Sequence, residues 1–238
     1  ERLNERDDVY FQTFVGGRHG GDVARHFAPG DAIRDLRVSG EQWPNHFLGW
    51  HRAWSPSSHT LILFSQLHDS IDVRNPSATI PFVQYSAGSI VGLSTPPGFA
   101  TRFSSEFALY SGELQQVWQS ERQTVVAGAR LQLGRVESDA TLTRDLSGVI
   151  SRDGVDEPLR RANGYLYWQG RPTEALRLIG GLSYDHLTHP QNSDLAPLSP
   201  GDVSRGLLAP KAGLLFTPWS GGLWRAAYTR SLGGQYFD

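Results

Sequence analysis

Eight histidines are the first residues of this sequence that could do chemistry, because imidazole binds metals and moves protons near neutral pH. They are His19, His26, His46, His51, His59, His68, His186 and His189. None forms a His-x-His or His-Glu-x-x-His arrangement, the kind of spacing that brings two ligands to one metal. We expect His186 and His189 to lie where a strand runs into a loop. The sequence therefore predicts ordinary loop or interfacial histidines, with no metal site and no cofactor.

Carboxylates and hydroxyls give two further candidate sites. Residues 153 to 157 carry three acidic side chains but lack the twelve-residue ligand order of a calcium loop, so they predict a solvated loop. Ser183, Asp185, His186 and His189 include the groups of a Ser/His/Asp hydrolase. These residue types are common in polar loops, and no Gly-x-Ser-x-Gly or phosphate-binding motif occurs. No catalytic residue is predicted.

Composition narrows the class of protein. The 238 residues carry a net charge of −2, which gives no reason to expect a nucleic-acid partner. Cysteine is absent, which excludes disulfides, zinc-thiolate sites and thiol nucleophiles. Methionine is also absent, so we expect a stretch of a longer protein. No run approaches the roughly 20 apolar residues of a membrane helix, but a membrane β-barrel is compatible with this composition.

Two-residue alternation is the main structural signal. Within residues 176 to 186, Leu178, Leu182 and Tyr184 share one parity, whereas Arg177 and Asp185 share the other. Because successive side chains of a strand point to opposite faces, this pattern predicts one apolar and one polar face. The strand candidates are residues 8–16, 45–53, 58–68, 79–90, 102–118, 124–134, 160–169, 176–186, 207–217 and 223–231.

The connections are predicted to alternate between short and long. Short turns are expected at residues 55–57, 119–122, 170–173 and 218–222, where proline, glycine and serine supply turn geometry. Long polar loops are expected at about residues 17–44, 69–100, 136–158, 188–205 and from 232 onward. In an antiparallel meander all short turns share one rim, as in bacterial outer-membrane barrels.

Tryptophan placement and strand parity assign surfaces to this expected barrel. Six of the seven tryptophans lie near a short turn, and they predict an interfacial aromatic belt: Trp50, Trp54, Trp118, Trp168, Trp219 and Trp224. If the apolar parity faces lipid, the opposite parity lines the lumen. The predicted lumen-lining residues are Arg130, Gln132, Arg177, Ser183, Asp185, Arg225 and Thr229.

Several segments resemble one family of bacterial proteins. Residues 45–61, 113–118, 179–185, 209–218 and 225–234 are similar to strand-and-turn signatures of TonB-dependent-receptor-like barrels that follow tetratricopeptide repeats. The resemblance implies an antiparallel transmembrane β-barrel of the outer membrane. Residues 1–238 would form one partial barrel region with about eight to ten strands. No plug domain or repeat module matches within this stretch.

The functional expectation is passage or uptake of a solute through the lumen, with the long loops as the recognition surface. The expected partners are outer-membrane lipid and a periplasmic repeat or plug module of the same chain. Three alternatives stay open: an export or assembly porin that serves the repeat module, a structural or adhesive barrel, and, least favoured, a barrel enzyme. The transported substrate is left unspecified by these motifs, which report architecture alone.

Overall fold

The computed structural model describes residues 2–22, 30, 32–145, 148–194 and 196–232. Their strands are β1 (Asp7–Gly20), β2 (Arg37–Ser55), β3 (Ser58–Ala78), β4 (Phe82–Ser86), β5 (Ser89–Ser94), β6 (Phe99–Gln119), β7 (Gln123–Arg144), β8 (Gly148–Thr173), β9 (Leu176–Asn192), β10 (Ser199–Phe216) and β11 (Trp224–Thr229). The predicted all-β, antiparallel architecture is confirmed. The part of the chain so described contains no helix able to cross a membrane.

Nine strands form one antiparallel sheet in the order β1-β2-β3-β6-β7-β8-β9-β10-β11. Neighbours in this order follow one another along the chain, because β4 and β5 form a separate hairpin between β3 and β6. The strands β1 and β11 are the two edges, and no pairing between them joins the sheet into a closed ring within the described residues. The described strands of the main sheet therefore form one large antiparallel meander.

The strands are much longer than the sequence predicts. Several reach more than 20 residues, and β8 has 26, whereas the predicted segment there covered residues 160–169. The long loops expected at about 69–100, 136–158 and 188–205 were wrong over most of their length. The connection from β7 to β8, for example, occupies only residues 145–147. Polar alternation in these segments resembled loop composition because one of their two faces carries many charged side chains.

Three local predictions are also corrected. The acidic segment 153–157 lies inside β8 and is therefore not a loop. Its side chains alternate between the two faces of the sheet, with Asp153 on one face and Asp156 on the other. His186 and His189 both lie inside β9, away from its ends. The turn expected at 170–173 is strand, and the chain reverses at residues 174–175 instead. The strand candidate 79–90 is the β4–β5 hairpin, which stands outside the main sheet.

Four connections lie at one end of the sheet, and three of them are short: residues 56–57, 120–122 and 174–175. The fourth connection, residues 217–223, joins β10 to β11 at the same end. We call the half of the sheet beside these connections the turn-proximal half, and the other half the turn-distal half. All tryptophans of the predicted belt lie in the turn-proximal half or in its connections.

The strand registers divide the side chains between two faces. Face A carries Leu114 of β6 and Leu131 of β7, and face B carries their sequence neighbours Glu113 and Arg130. In the turn-proximal half, face A forms an apolar band. Its members are Val9, Phe11, Leu48, Trp50, Ile62, Phe64, Tyr110, Leu114, Trp118, Val125, Ala127, Ala129, Leu131, Leu133, Leu166, Trp168, Leu178, Leu182, Tyr184, Leu208, Pro210, Leu214, Phe216, Trp224 and Tyr228.

Polarity inverts in the turn-distal half. Face A there becomes charged, with Arg135, Glu137 and Asp139 succeeding one another along β7. Face B becomes apolar and buried, with Leu109 and Leu159 each 1% exposed. The same strands thus present lipophilic side chains on opposite faces in their two halves. The sequence alone does not reveal this inversion, because side chains alternate with the same two-residue period in both halves of each strand.

Ion pairs hold the charged part of face A. Asp72 of β3 accepts hydrogen bonds from Arg74 at 2.5 Å and from Arg102 of β6 at 2.8 Å. Burial acts to raise the pKa of Asp72, but these two guanidinium groups outweigh it and hold the pKa below its ordinary value. Farther across the sheet, Arg135 of β7 binds Asp156 of β8. Two of these bridges cross strand pairs, β3–β6 and β7–β8, on a face that is otherwise accessible to water.

Candidate functional site

All seven residues predicted to line a lumen lie on face B. Arg130 and Gln132 belong to β7, Arg177, Ser183 and Asp185 to β9, and Arg225 and Thr229 to β11. Strand pairing connects these positions through face B from β7 to β11. The registers therefore bring them to one surface of the turn-proximal half. That this surface encloses a lumen stays a prediction.

A polar network on face B begins at Tyr165 of β8. Its hydroxyl donates a hydrogen bond to Oε1 of Glu113 on β6 at 2.6 Å, and it accepts one from Nε2 of Gln115 at 2.9 Å. The other carboxylate oxygen of Glu113 accepts from Arg130 of β7 at 2.6 Å and 2.9 Å. Charge-assisted bonds of this kind are about twice as strong as neutral ones. The network therefore fixes three adjacent strands through side chains alone.

Tyr167 extends the same surface in the opposite direction. It stacks on Tyr165 with ring centroids 5.3 Å apart. The ammonium of Lys211 on β10 donates a hydrogen bond to the Tyr167 hydroxyl at 2.9 Å, with its nitrogen 4.9 Å from the ring centroid. The two tyrosines of β8 thus each reach a charged residue two strands away, Glu113 on one side and Lys211 on the other.

Two glycines make this reach sterically feasible. Gly128 of β7 pairs with Tyr165, and Gly181 of β9 pairs with Tyr167. A Cβ atom at Gly128 would lie 2.5 Å from Cζ of Tyr165 and 2.9 Å from the carbonyl oxygen of Leu114. A Cβ atom at Gly181 would lie 2.9 Å from Cε1 of Tyr167. Each tyrosine ring lies over the bare backbone of a glycine on the neighbouring strand.

A second ion pair lies on face B beside this network. Arg161 of β8 donates two hydrogen bonds to Oδ1 of Asp185 on β9, at 3.0 Å and 2.9 Å. The Asp185 side chain is only 11% exposed, and this guanidinium is the hydrogen-bond donor to its Oδ1. Ser183 on the same strand is buried. The arrangement orders Asp185 as an ion-pair partner, which leaves it poorly placed to orient a histidine.

A chain of three titratable groups lies on face B at the other side of the sheet. Asp8 of β1 is 3.2 Å from Nδ1 of His51, and Nε2 of His51 is 3.0 Å from Nδ1 of His59. Nε2 of His59 is 3.3 Å from the carbonyl oxygen of Pro56. The stacked rings of His51 and His59 thus connect β2 and β3 to the Asp8 carboxylate of β1 on this face.

Four of the six tryptophans of the predicted belt lie on face A. Trp50, Trp118, Trp168 and Trp224 belong to the apolar band, and Trp219 lies in the connection from β10 to β11. Polar side chains at this end of the sheet form a chain of hydrogen bonds. Trp54 donates to Thr60 at 2.8 Å, Thr60 donates to Gln116 at 2.5 Å, and Gln116 donates to Ser58 at 3.1 Å. The rings and their hydrogen bonds thus share the strand ends beside the turns.

The residues considered for hydrolysis or metal binding do not converge. The register places His186 on face A, opposite to Ser183, Asp185 and His189 on face B. Three or more side chains able to hold a metal do not cluster anywhere in the described ranges. His26 lies outside those ranges. The geometry therefore offers these side chains no common site.

Sequence reasoning missed the central residues of the network. Glu113, Tyr165, Tyr167 and Lys211 lie on four positions that no local motif connects, because they meet only through the registers of β6 to β10. A usable signal was the recurrence of glycine within otherwise alternating strands, which marks close approach of a neighbouring side chain.

Comparison with known proteins places no constraint on this surface. The network contains no motif of a known enzyme, and its side chains serve one another as hydrogen-bond partners. The two faces of the sheet therefore provide the structural evidence for function. No family model matches this chain, and no curated protein is significantly similar to it.

Proposed function

We propose that this chain forms the transmembrane β-barrel region of a bacterial outer-membrane protein that passes or takes up a solute. Face A of the turn-proximal half faces lipid, and face B lines the aqueous path. The main observation in support of this proposal is the apolar band. Four of its leucines are each more than half exposed: Leu114, Leu131, Leu166 and Leu208. Water would penalise such a continuous exposed surface, whereas lipid accommodates it.

The dimensions of the band support this proposal. Along β7 the apolar residues of face A run from Val125 to Leu133, and charge follows immediately at Arg135. A tilted strand needs about 9–11 residues to cross the hydrocarbon core. The 26 residues of β8 exceed that need, so more than half of the strand continues into water. The inverted polarity of the turn-distal half fits this, since charges there face solvent and apolar side chains face inward.

Orientation follows from the connections and the tryptophans. Outer-membrane barrels have short periplasmic turns, and aromatic girdles lie at their lipid boundaries. The turn-proximal half then faces the periplasm, and the turn-distal half projects from the outer surface. This assignment agrees with the resemblance to TonB-dependent-receptor-like barrels, which supports uptake as the direction of transport. A plug or repeat module of the same protein would meet the periplasmic end.

Closure of the barrel is part of the proposal. Within the described residues, no further strand pairs with the outer edges of β1 and β11. Unsatisfied backbone groups in hydrocarbon cost several kcal/mol each. In the membrane these edges are therefore paired, with each other or with further strands. Within the described residues, β11 contributes six residues to such a pair.

A transport assay with single-cysteine variants tests the proposal. The chain contains no cysteine, so Gln132→Cys introduces one thiol on face B of the full-length protein. We expect proteoliposomes with this variant to admit small polar solutes, and modification by a charged methanethiosulfonate to lower the flux several-fold.

The matched control is Leu131→Cys, one residue away on face A. Its thiol should resist the same charged reagent and its flux should not change. Flux that is absent from intact, membrane-inserted protein would favour the structural or adhesive alternative. Equal inhibition at both positions would contradict the assignment of the faces.

A further inference from the structure

Two adjoining cavities lie on face B of the turn-distal half. One, of about 500 Å³, is bounded by Gly16, Gly40, Asp69 and Phe107. The other, of about 780 Å³, is bounded by Val73, Phe103, Leu142 and Asp153. Ile71 and Ser105 border both. Their volumes match those of small-molecule sites, which are mostly apolar clefts with a few placed polar groups.

Asp69 of β3 forms part of the wall of the first cavity, and one oxygen of its carboxylate is buried. That atom, Oδ1, has no hydrogen-bond partner among the described residues. A buried acceptor left in this state costs about 1–3 kcal/mol, and more when it is charged. Gly16 and Gly40 bring no side chain of their own to the wall of this cavity, and the side chains of their cross-strand partners Gln42 and Arg18 lie over them. The wall thus places a carboxylate that lacks a hydrogen-bond donor beside a space that could hold a donor group.

The second cavity combines an apolar wall with further acidic groups. Phe103 packs against the buried cluster of Ala140 and Val155. Asp153 lies on the same face, where its near contact is the hydroxyl of Ser151 at 3.5 Å. Asp194, from the connection between β9 and β10, borders the cavity at its exposed side. A ligand here would meet hydrocarbon on one side and carboxylates on the other.

The cations near the cavities do not neutralise these groups. The guanidinium of Arg102 is bound to Asp72 on face A, 2.8 Å away. Arg18 is the cation among the described residues that borders the first cavity, where its side chain lies over Gly40. Neither arginine forms an ion pair with Asp69 or Asp153. Among the described residues that line the two cavities, four acidic side chains therefore outnumber these two arginines.

We infer that the two cavities form a binding site for an organic amine with an apolar body. The ammonium would donate to Asp69 or Asp153, and the apolar body would cover Phe103, Ile71 and Val73. This inference deepens the proposed function, since it names the class of solute that enters from the outer surface. Binding itself requires only the folded turn-distal half.

Three dansyl probes with the same five-carbon chain test this inference on full-length protein in detergent. Dansylcadaverine ends in an ammonium, N-hexyldansylamide ends in a neutral methyl group and dansyl-6-aminohexanoate ends in a carboxylate. We expect dansylcadaverine to bind at least tenfold more tightly than N-hexyldansylamide, and dansyl-6-aminohexanoate to bind most weakly. Equal affinities for all three would overturn the inference, because they would show an apolar surface without charge selection.

Variants separate the site from overall charge. Asp153→Asn and Asp69→Asn should each weaken dansylcadaverine binding about tenfold and leave the binding of N-hexyldansylamide unchanged. Asp139→Asn is the matched control. Asp139 directly precedes Ala140, the cross-strand partner of Asp153, but it lies on face A, so this variant removes the same charge from the opposite face of the sheet. A similar loss in all three variants would contradict the site.

The binding result is independent of transport. Amine selectivity with no solute flux in proteoliposomes would retain the site and reject the proposed passage. Flux without amine selectivity would retain passage and reject the site. Far-ultraviolet circular dichroism of each variant verifies that the strands remain folded.

Discussion

Leu131→Arg is expected to lower the free energy of unfolding from a lipid bilayer by about 2–4 kcal/mol. Leu131 lies within the apolar band and is 51% exposed, with Gly112 and Ala162 as its cross-strand neighbours. A guanidinium at this depth has no acidic partner on face A and must reach toward the membrane surface. The loss is measured by urea titration of the protein folded into phospholipid vesicles.

Two control variants give this prediction its specificity. Gln132→Arg places the same side chain one residue away on face B, where polar groups already lie, and should change stability by less than about 1 kcal/mol. Glu137→Arg lies on face A beyond the band, beside Glu106 and Asp156, and should also be tolerated. Similar losses for all three variants would remove the basis for a lipid-facing band.

Gly128→Val is expected to destabilise the folded protein by about 2–4 kcal/mol. The new Cβ atom would overlap the Tyr165 ring and approach the carbonyl oxygen of Leu114 at 2.9 Å. Tyr165 would have to leave its position, and its hydrogen bonds with Glu113 and Gln115 would be lost. The same urea titration measures this loss.

Gly164→Val is the matched control for that variant. Gly164 precedes Tyr165 on β8, and a Cβ atom there has no neighbour within 4 Å. Valine favours extended backbone, so this variant should keep or slightly raise stability. A double-mutant cycle with Tyr165→Ala should be strongly non-additive, because Gly128→Val acts through the displaced ring. Additive effects would show that the strain lies in the backbone of β7.

The sequence was sufficient for the strand class and for the partition of side chains between faces. Leu178 and Arg177 alternate so regularly that their opposite placement needs no tertiary information, and the same holds for Leu131 and Gln132. The tryptophans also marked one end of the sheet, since indole favours a polar–apolar boundary. These signals are local, with a period of two residues.

The length of the strands and the network on face B could not be predicted in the same way. Segments such as 136–158 carry charges on face A and buried apolar groups on face B, so their composition resembled a polar loop. The contact of Tyr165 with Glu113 spans 52 residues and depends on two strand registers. Those registers are determined by the whole sheet.

Spin labels at successive positions of β7 test the membrane assignment most directly. Single-cysteine variants of residues 125 to 133 would be labelled in proteoliposomes, and the collision rate of each nitroxide would be measured with oxygen and with a water-soluble nickel chelate. We predict that oxygen collides most at the odd positions of face A, from Val125 to Leu133, and nickel most at the even positions of face B. Nickel access at every position, or access that does not alternate, would contradict a lipid-facing sheet.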